Sequence, residues 1–352
     1  MPVGTQGTVK TMTPHELREI GAEMMVCNTY HLYLRPGHEV VEQAGGLSKF
    51  IGWHRPILTD SGGYQVYSLA PLRAITEEGV KFQSHIDGSR HFFTPELVVQ
   101  VQQALGSDVM MCLDVCPPYP VSREDALSAV NMTQRWAERC KAAWTAAPEP
   151  LNPRTPGPSL FGIIQGATYP ELRRQSTEQL VALDLPGYAI GGLCLGEPSA
   201  TTYEMVETCT ELMPRDKPRY LMGSGYPEDI LAAVSRGVDM FDCVLPTRNG
   251  RTGTAFTSEG RVTIRNARHM EDQSPLDANC TCYTCRDFTR SYLRHLFIAG
   301  EVLGPHLLTL HNIHFFITLM KNIRAHIEQG DFAEWSQQFL TRYRATATEE
   351  SA

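Results

Sequence analysis

Apolar residues along the chain fall into short runs, each closed by a polar group or a glycine. Ile57-Leu58-Thr59-Asp60, Val109-Met110-Met111-Cys112-Leu113-Asp114, Phe161-Gly162-Ile163-Ile164-Gln165, Tyr188-Ala189-Ile190-Gly191-Gly192, Tyr220-Leu221-Met222-Gly223 and Met240-Phe241-Asp242 follow this pattern, and Met24 to Asn28 reads the same way. Unbroken apolar runs of this length predict strands buried on both faces, as in a parallel sheet. Between them lie helical signals. Thr13-Pro14-His15-Glu16 places a cap, a proline and an acid where a short helix begins. Thr94-Pro95-Glu96 opens a helix to Leu105, and Ser122 opens one to about Ala146 with Glu124 and Asp125 in the first turn, where the helix dipole favours acids. Further helices are predicted over Pro170 to Leu183, Ser199 to Met213 and Ile230 to Arg236, and a hairpin-like segment over Val80 to Phe93 turning at Asp87-Gly88. Alternating strand and helix predicts a parallel sheet, and strand ends that gather polar groups predict a (β/α)8 TIM barrel with its site on the C-terminal face.

The rhythm fails in three places. Met1 to Gly7 runs into a Gly/Thr-rich turn and is expected to be the interior of a longer beginning. Pro148 to Pro158 holds five prolines and is expected to be a surface loop. From Gly250 to about His314 the alternation stops, predicting a subdomain inserted into a single barrel domain spanning 1–352, with closing helices after it.

Length adds that 352 residues at 42% hydrophobic content can fill a barrel of about 250 residues plus an insertion. The N-terminus has no basic segment followed by an apolar one, and no apolar run reaches the roughly 18 residues of a membrane span, so the expected location is the cytoplasm. A net charge of -8 argues against general attraction to nucleic acid, so any such contact must be local. Arg248, Arg251, Arg261, Arg265 and Arg268, with only Glu259 among them, form the one local basic stretch, and phosphate contact is expected there.

Ten cysteines are too dilute for a disulfide scaffold, but three are grouped as Cys280-x-Cys282-x-x-Cys285. With a downstream histidine they make the ligand set of a closed structural zinc site. His295, His306, His311 and His314 are all near, and His311 is favoured. Asp60, Asp114 and Asp242 each end a strand, with Gln165 and Gly192 at two more. Carboxylates sharing a cleft have their pKa values driven apart, so one can attack while another donates a proton. The glycines of Ser61-Gly62-Gly63 let a ligand approach the backbone closely, and Tyr64 and Met222 could hold a flat ligand between them.

Thr59-Asp60-Ser61-Gly62-Gly63-Tyr64-Gln65, Gly191-Gly192-Leu193, Phe241-Asp242-Cys243-Val244-Leu245-Pro246-Thr247-Arg248 and the Cys280/Cys282/Cys285/His311 set resemble the queuine tRNA-ribosyltransferases, or tRNA-guanine transglycosylases, over nearly the whole chain. The resemblance implies a zinc-containing TIM barrel that exchanges the wobble guanine of G-U-N anticodons for a 7-deazaguanine, with no redox or nucleotide cofactor. It makes Asp242 the nucleophile and Asp60 the general acid/base. Asp60, Ser61, Gly62, Gly63, Asp114, Gln165 and Gly192 would surround the base, with Tyr64 and Met222 on its faces. Gly223, Ser224, Gly225, Tyr226, Pro227, Glu228 and Asp229, and the loop Thr247, Arg248, Asn249, Gly250 and Arg251, would hold the anticodon stem-loop. Bacterial members further imply a homodimer formed through the zinc subdomain.

Two departures stand out. Members of the family carry further residues before the segment matching Met1 to Thr5, forming a hairpin that closes the barrel bottom. Val115 stands where many bacterial members have Glu. Beside the base, Cys116 and Leu195 would line the space for the 7-substituent, and Leu195 is large enough to favour the small 7-aminomethyl-7-deazaguanine (preQ1) over queuine, with Glu197 assisting through its charge or the backbone it orients. A non-catalytic partner subunit would be expected to lack Asp242, and a barrel metallohydrolase to carry His-x-His at a strand end. Neither fits.

Overall fold

The computed structural model describes residues 1–69, 73–146 and 157–345. Eight strands form one sheet, β1 (Val3–Gly4), β2 (Met25–Cys27), β3 (Ile57–Thr59), β4 (Val109–Met111), β5 (Ser159–Ile164), β6 (Gly187–Ile190), β7 (Arg219–Leu221) and β8 (Met240–Phe241), ordered in space as in sequence. Every neighbouring pair is parallel. The two edges meet where the Met1 nitrogen donates to the Phe241 carbonyl at 2.8 Å. The architecture is the expected TIM barrel.

Strand alternation divides the apolar residues between two layers. Val26, Leu58, Val109, Met111, Phe161, Ile163, Ala189 and Tyr220 pack together inside the barrel, while their neighbours, such as Cys27, Met110, Ile164 and Ile190, pack outward on the helices. Gly187 is required here, because a Cβ at that position would lie 2.4 Å from the Phe161 ring paired beside it. The helices begin where their signals stood. Thr13 and Glu16 make a reciprocal capping box on Pro14–Ile20, and Ser122 caps Arg123–Thr145.

The opening residues form the first barrel strand, short because only Val3 and Gly4 pair with β2. One expectation is corrected. The stretch Thr247 to Arg251 is not a loop but lies in a helix, Leu245–Thr252. Pro246 sits at the helix start, where a missing N–H costs nothing. Gly250 is a point of contact, since a Cβ there would lie 2.6 Å from the Thr309 hydroxyl and 2.7 Å from its backbone. The expected hairpin over Val80 to Phe93 is present as Gly79–Gln83 paired with Arg90–Phe93, and Arg73–Thr76 adds a third antiparallel strand. Most of the Pro148 to Pro158 stretch lies outside the described residues.

After β8 the chain forms the helix Leu245–Thr252, a hairpin (Thr254–Thr257 and Gly260–Thr263), the helices Tyr283–Asp287 and Arg290–Ala299, and then the long helix Leu303–Gln329. Cys282, Cys285 and Leu293 share one apolar cluster with Leu17, Trp53 and Ile57 below the barrel. Among the described residues no helix is long and apolar enough to cross a membrane.

Candidate functional site

Asp60 follows β3 directly, and its carboxylate is held from the next strand end. Asn28 Nδ2 donates to Oδ2 at 2.5 Å, and the Thr29 and Gly62 amides donate to Oδ1 at 2.9 and 3.2 Å. Burial pushes this carboxyl up to about 7 against the pull of those donors, and the charge of Asp242 adds to the rise. Desolvation disfavours the ionised form and a like charge nearby does the same. The group is therefore poised to change protonation near neutral pH.

Asp114 lies beyond β4 with its side chain bridged to two neighbours. Gln165 Nε2 donates to Oδ2 at 2.7 Å and Ser61 Oγ to Oδ1 at 3.2 Å. Its carboxyl is pushed up to about 6 by burial, with both donors opposing. Gln165 is fully buried, its amide N–H donating to Ser176 Oγ, while its Oε1 has no partner. Gly192 lies against Gln165, since a Cβ would come within 2.3 Å of Oε1. The Cys116 thiol faces Gln165 and Gly192, and burial pushes it up to about 12. An acceptor, a donor and an unmet carbonyl oxygen thus converge on one edge. Buried polar atoms without partners are rare.

Asp242 ends β8. The Tyr220 hydroxyl donates to Oδ1 at 2.5 Å and the Gly223 amide to the same oxygen at 3.0 Å. Tyr220 is a barrel-interior residue whose phenol rises to the strand ends, and burial together with the Asp242 charge holds it well above its ordinary pKa. Neither Tyr220 nor the Asn28/Thr29 clamp was singled out in the sequence as part of the site. A cavity of about 560 Å³ at the seam of β1 and β8 is walled by Phe241, Asp242, Pro246, Phe316 and Met320 and not by Asp60 or Asp114, so the Asp114/Gln165/Gly192 edge lies outside it.

The remaining predicted residues divide by exposure. Tyr64, on the helix Gly63–Leu69, is 47% exposed and Met222 is partly buried. Gly223 and Tyr226 are exposed, with Arg261 over the Tyr226 ring at 5.8 Å. Ser224, Gly225 and Pro227 are buried, Glu228 is half-buried, and Asp229 accepts from Tyr203 at 2.6 Å. Arg248 is exposed and Asn249 and Arg251 half-exposed, whereas Thr247 and Gly250 are buried. Glu197 accepts from the Cys194 and Leu195 amides at 2.5 and 2.9 Å and from Thr202 Oγ1 at 2.8 Å, so its carboxylate holds the loop after β6. The Val115 amide takes Thr133 Oγ1 as its acceptor at 3.0 Å.

Cys280, Cys282, Cys285 and His311 bring their ligand atoms within 4.8 Å of one another. His311 Nδ1 lies 3.7, 3.5 and 3.3 Å from the three sulfurs. A tetrahedral zinc with bonds of about 2.0–2.3 Å has ligand–ligand edges of roughly 3.5–3.8 Å, so the four atoms already span such an ion. His311 Nε2 donates to the Phe256 carbonyl at 2.8 Å, which leaves Nδ1 free to ligate. His314 comes within 3.6 Å of Cys280 but stands outside the four-ligand group.

A (β/α)8 barrel with three carboxylates at its C-terminal strand ends, and a Cys3His cluster that includes none of them, is the arrangement of a barrel enzyme. The sequence model of the queuine tRNA-ribosyltransferase family matches residues 1–345, and the chain belongs to that family. It is similar to proteins named queuine tRNA-ribosyltransferase from Thermoanaerobacter pseudethanolicus, 56% identical over 343 residues, covering 97% of this chain and 89% of the relative. A protein of the same name from Desulforudis audaxviator is 57% identical over 340 residues with the same two coverages. Another from Pelotomaculum thermopropionicum is 55% identical over 344 residues, covering 98% and 90%.

Proposed function

We propose that this chain exchanges the wobble guanine of G-U-N anticodon tRNAs for preQ1, with Asp242 as nucleophile and Asp60 as general acid and base. The carrying observation is the pairing of Asp242, one oxygen doubly held and the other without a donor among the described residues, with Asp60, a buried carboxyl pushed up to about 7. Asp242 Oδ2 attacks ribose C1′ as the bond from C1′ to N9 of guanine breaks. The electron pair leaves with the base, and Asp60 gives it a proton. Asp60, now ionised, takes the N9 proton of the incoming 7-deazaguanine, whose nitrogen then attacks C1′ and releases Asp242. One glycosidic bond replaces another, so no further reactant is required.

Asp114, Gln165 and the Gly192 amide read the purine edge in this scheme, Tyr64 and Met222 cover its faces, and Ser61, Gly62 and Gly63 let it lie against the backbone. The base must leave its stack to reach them. Gly223 to Asp229 and Thr247 to Arg251 hold the anticodon stem-loop, with exposed Gly223, Tyr226 and Arg248 facing the RNA and the buried members shaping the backbone beneath. The Cys280/Cys282/Cys285/His311 set holds one structural Zn2+. Exposed Tyr283 and Tyr292, edge-on to and stacked with Phe288 at 5.3 and 5.5 Å, offer an aromatic surface for homodimerisation in the cytoplasm.

The test is incorporation of labelled guanine into tRNA, together with a search for a denaturation-resistant adduct. Wild type should give both and Asp242→Ala neither, while Asp242→Ala still binds tRNA. An adduct that survives in Asp242→Ala would move the nucleophile elsewhere.

A further inference from the structure

Arg173 is completely buried and has no carboxylate among its hydrogen-bond partners. Its guanidinium donates only to backbone carbonyls. Nε reaches Ala167 at 2.8 Å, Nη1 reaches Ile164 at 3.1 Å and Gly191 at 2.7 Å, and Nη2 reaches Gly192 at 3.2 Å. These carbonyls come from the end of β5, the turn after it, and the turn after β6. The planar fork of arginine can tie several acceptors at fixed angles, which a lysine cannot.

The placement is poor for stability. Arg173 lies in the first turn of the helix Pro170–Val181, where the macrodipole already carries positive charge. Burial with no carboxylate in hydrogen-bond reach is costly for a cation, and the Glu197 charge offsets that cost only through space. Ala167 is held at φ 49 and Gly192 at φ 66, in the left-handed region, and both turn a carbonyl to the guanidinium.

We propose that Arg173 is a positioning residue for purine recognition, pinning the two consecutive peptides after β6 so that the Gly192 N–H is presented to the base. A trans peptide directs its N–H opposite to its C=O. With the Gly191 carbonyl drawn down to Arg173, the Gly192 N–H faces the other way, toward the Cys116 thiol and the Gln165 side chain. With the Gly192 carbonyl drawn down as well, the peptide cannot flip to offer an acceptor in its place. The donor therefore meets the exocyclic oxygen of a guanine or 7-deazaguanine already set, with no reorganisation on binding. This inference rests on the proposal that the Asp114/Gln165/Gly192 edge receives the base.

The experiment compares guanine with 2-aminopurine, which lacks the exocyclic oxygen, as ligands of wild type, Arg173→Lys and Arg173→Met. Discrimination between the two by wild type establishes the base site itself; equal affinity would refute that reading before Arg173 is considered. With the site established, folded variants should raise KM for guanine about tenfold or more, with KM for tRNA within about twofold, and should narrow the discrimination between the two bases to the part due to the N1–H that 2-aminopurine also lacks. Guanine KM and base discrimination unchanged in a folded variant would overturn the proposal. A wild-type crystal structure with guanine gives a reading independent of variant folding. The oxygen is expected within about 3.2 Å of the Gly192 nitrogen, with Arg173 still on the Gly191 and Gly192 carbonyls, and an Arg173 detached from them in that complex would equally overturn it.

Discussion

The Tyr220 hydroxyl and the Asp242 carboxylate meet at 2.5 Å on Oδ1, the same oxygen that takes the Gly223 amide at 3.0 Å. Two donors on one oxygen stop the carboxylate rotating and leave Oδ2 as the atom that would attack in the proposed exchange. Tyr220→Phe should slow adduct formation in a single turnover by about ten- to a hundredfold, since a hydrogen bond to a charged group contributes about 1.5–3 kcal/mol. Affinity for tRNA should not change. A Tyr220→Phe enzyme that forms the adduct at the wild-type rate would show that the phenol only fills the barrel.

Asp60 predicts opposite pH profiles for the two halves of the exchange. Expulsion of guanine needs the protonated carboxyl and should slow as pH rises through about 7, whereas attack by the incoming base needs the carboxylate and should slow as pH falls through the same value. Separate single-turnover measurements distinguish them, and two parallel profiles would remove Asp60 from proton transfer.

The same titration predicts a stability change. Between the ordinary value of 3.8 and the folded value of about 7, the folded chain holds a proton that the unfolded chain has lost. Stability from this group is therefore fully present below 3.8 and falls as pH rises through about 7, after which it is flat. Asp60→Asn removes the buried charge, so its gain in Tm over wild type should be largest at pH 8 and smaller at pH 5. Thermal melts at the two pH values decide this; a gain that grows on acidification contradicts it.

Metal should be structural. Purified protein should contain roughly one zinc per chain, and Cys282→Ala or His311→Ala should lose it and lower Tm by about 10 °C or more, because metal binding is coupled to folding. Elemental analysis finding no metal in folded, active protein is the contrary result.

Leu195 should restrict the incoming base to preQ1. Glu197 fixes the Leu195 amide, so the loop that carries this side chain is held in place. Extra atoms forced into a packed site cost about 1–3 kcal/mol, enough for tenfold or greater preference over queuine. Competition between the two bases measures it directly. Equal use of queuine would mean an open pocket, and Leu195→Gly should gain queuine activity only where the leucine side chain faces the base.

The three acids and the three clustered thiols could be read from the sequence because each is written locally. An apolar run ending in Asp60, Asp114 or Asp242 places the acid at a strand end, and Cys280-x-Cys282-x-x-Cys285 is a spacing. What holds them was hidden. Tyr220 is an ordinary aromatic in a strand until β8 is set beside β7, and Asn28 meets Asp60 only through the pairing of β2 with β3. Arg173 looks like one of two adjacent surface arginines on a helix, and only the turns of β5 and β6 above it make it a buried clamp. In Leu245–Thr252, proline and glycine suggested a loop because each usually breaks a helix. There the proline starts the helix, and the glycine allows its contact with Thr309.

His311 and Asn312 are consecutive on the helix Leu303–Gln329. The imidazole of the first faces the thiols. The side chain of the second accepts from the Phe256 amide at 2.9 Å and donates to the Pro246 and Thr254 carbonyls at 3.0 Å each. Pro246 begins the helix that carries Arg248, and Gly250 on that helix rests on Thr309, two residues before His311. Rolling the long helix about its axis cannot loosen one grip without loosening the other. The thiol cluster and the arginine-bearing helix are thus geared to a single shaft, and damage at the sulfurs would be felt at Arg248, on the helix proposed to hold the RNA, as well as in the fold.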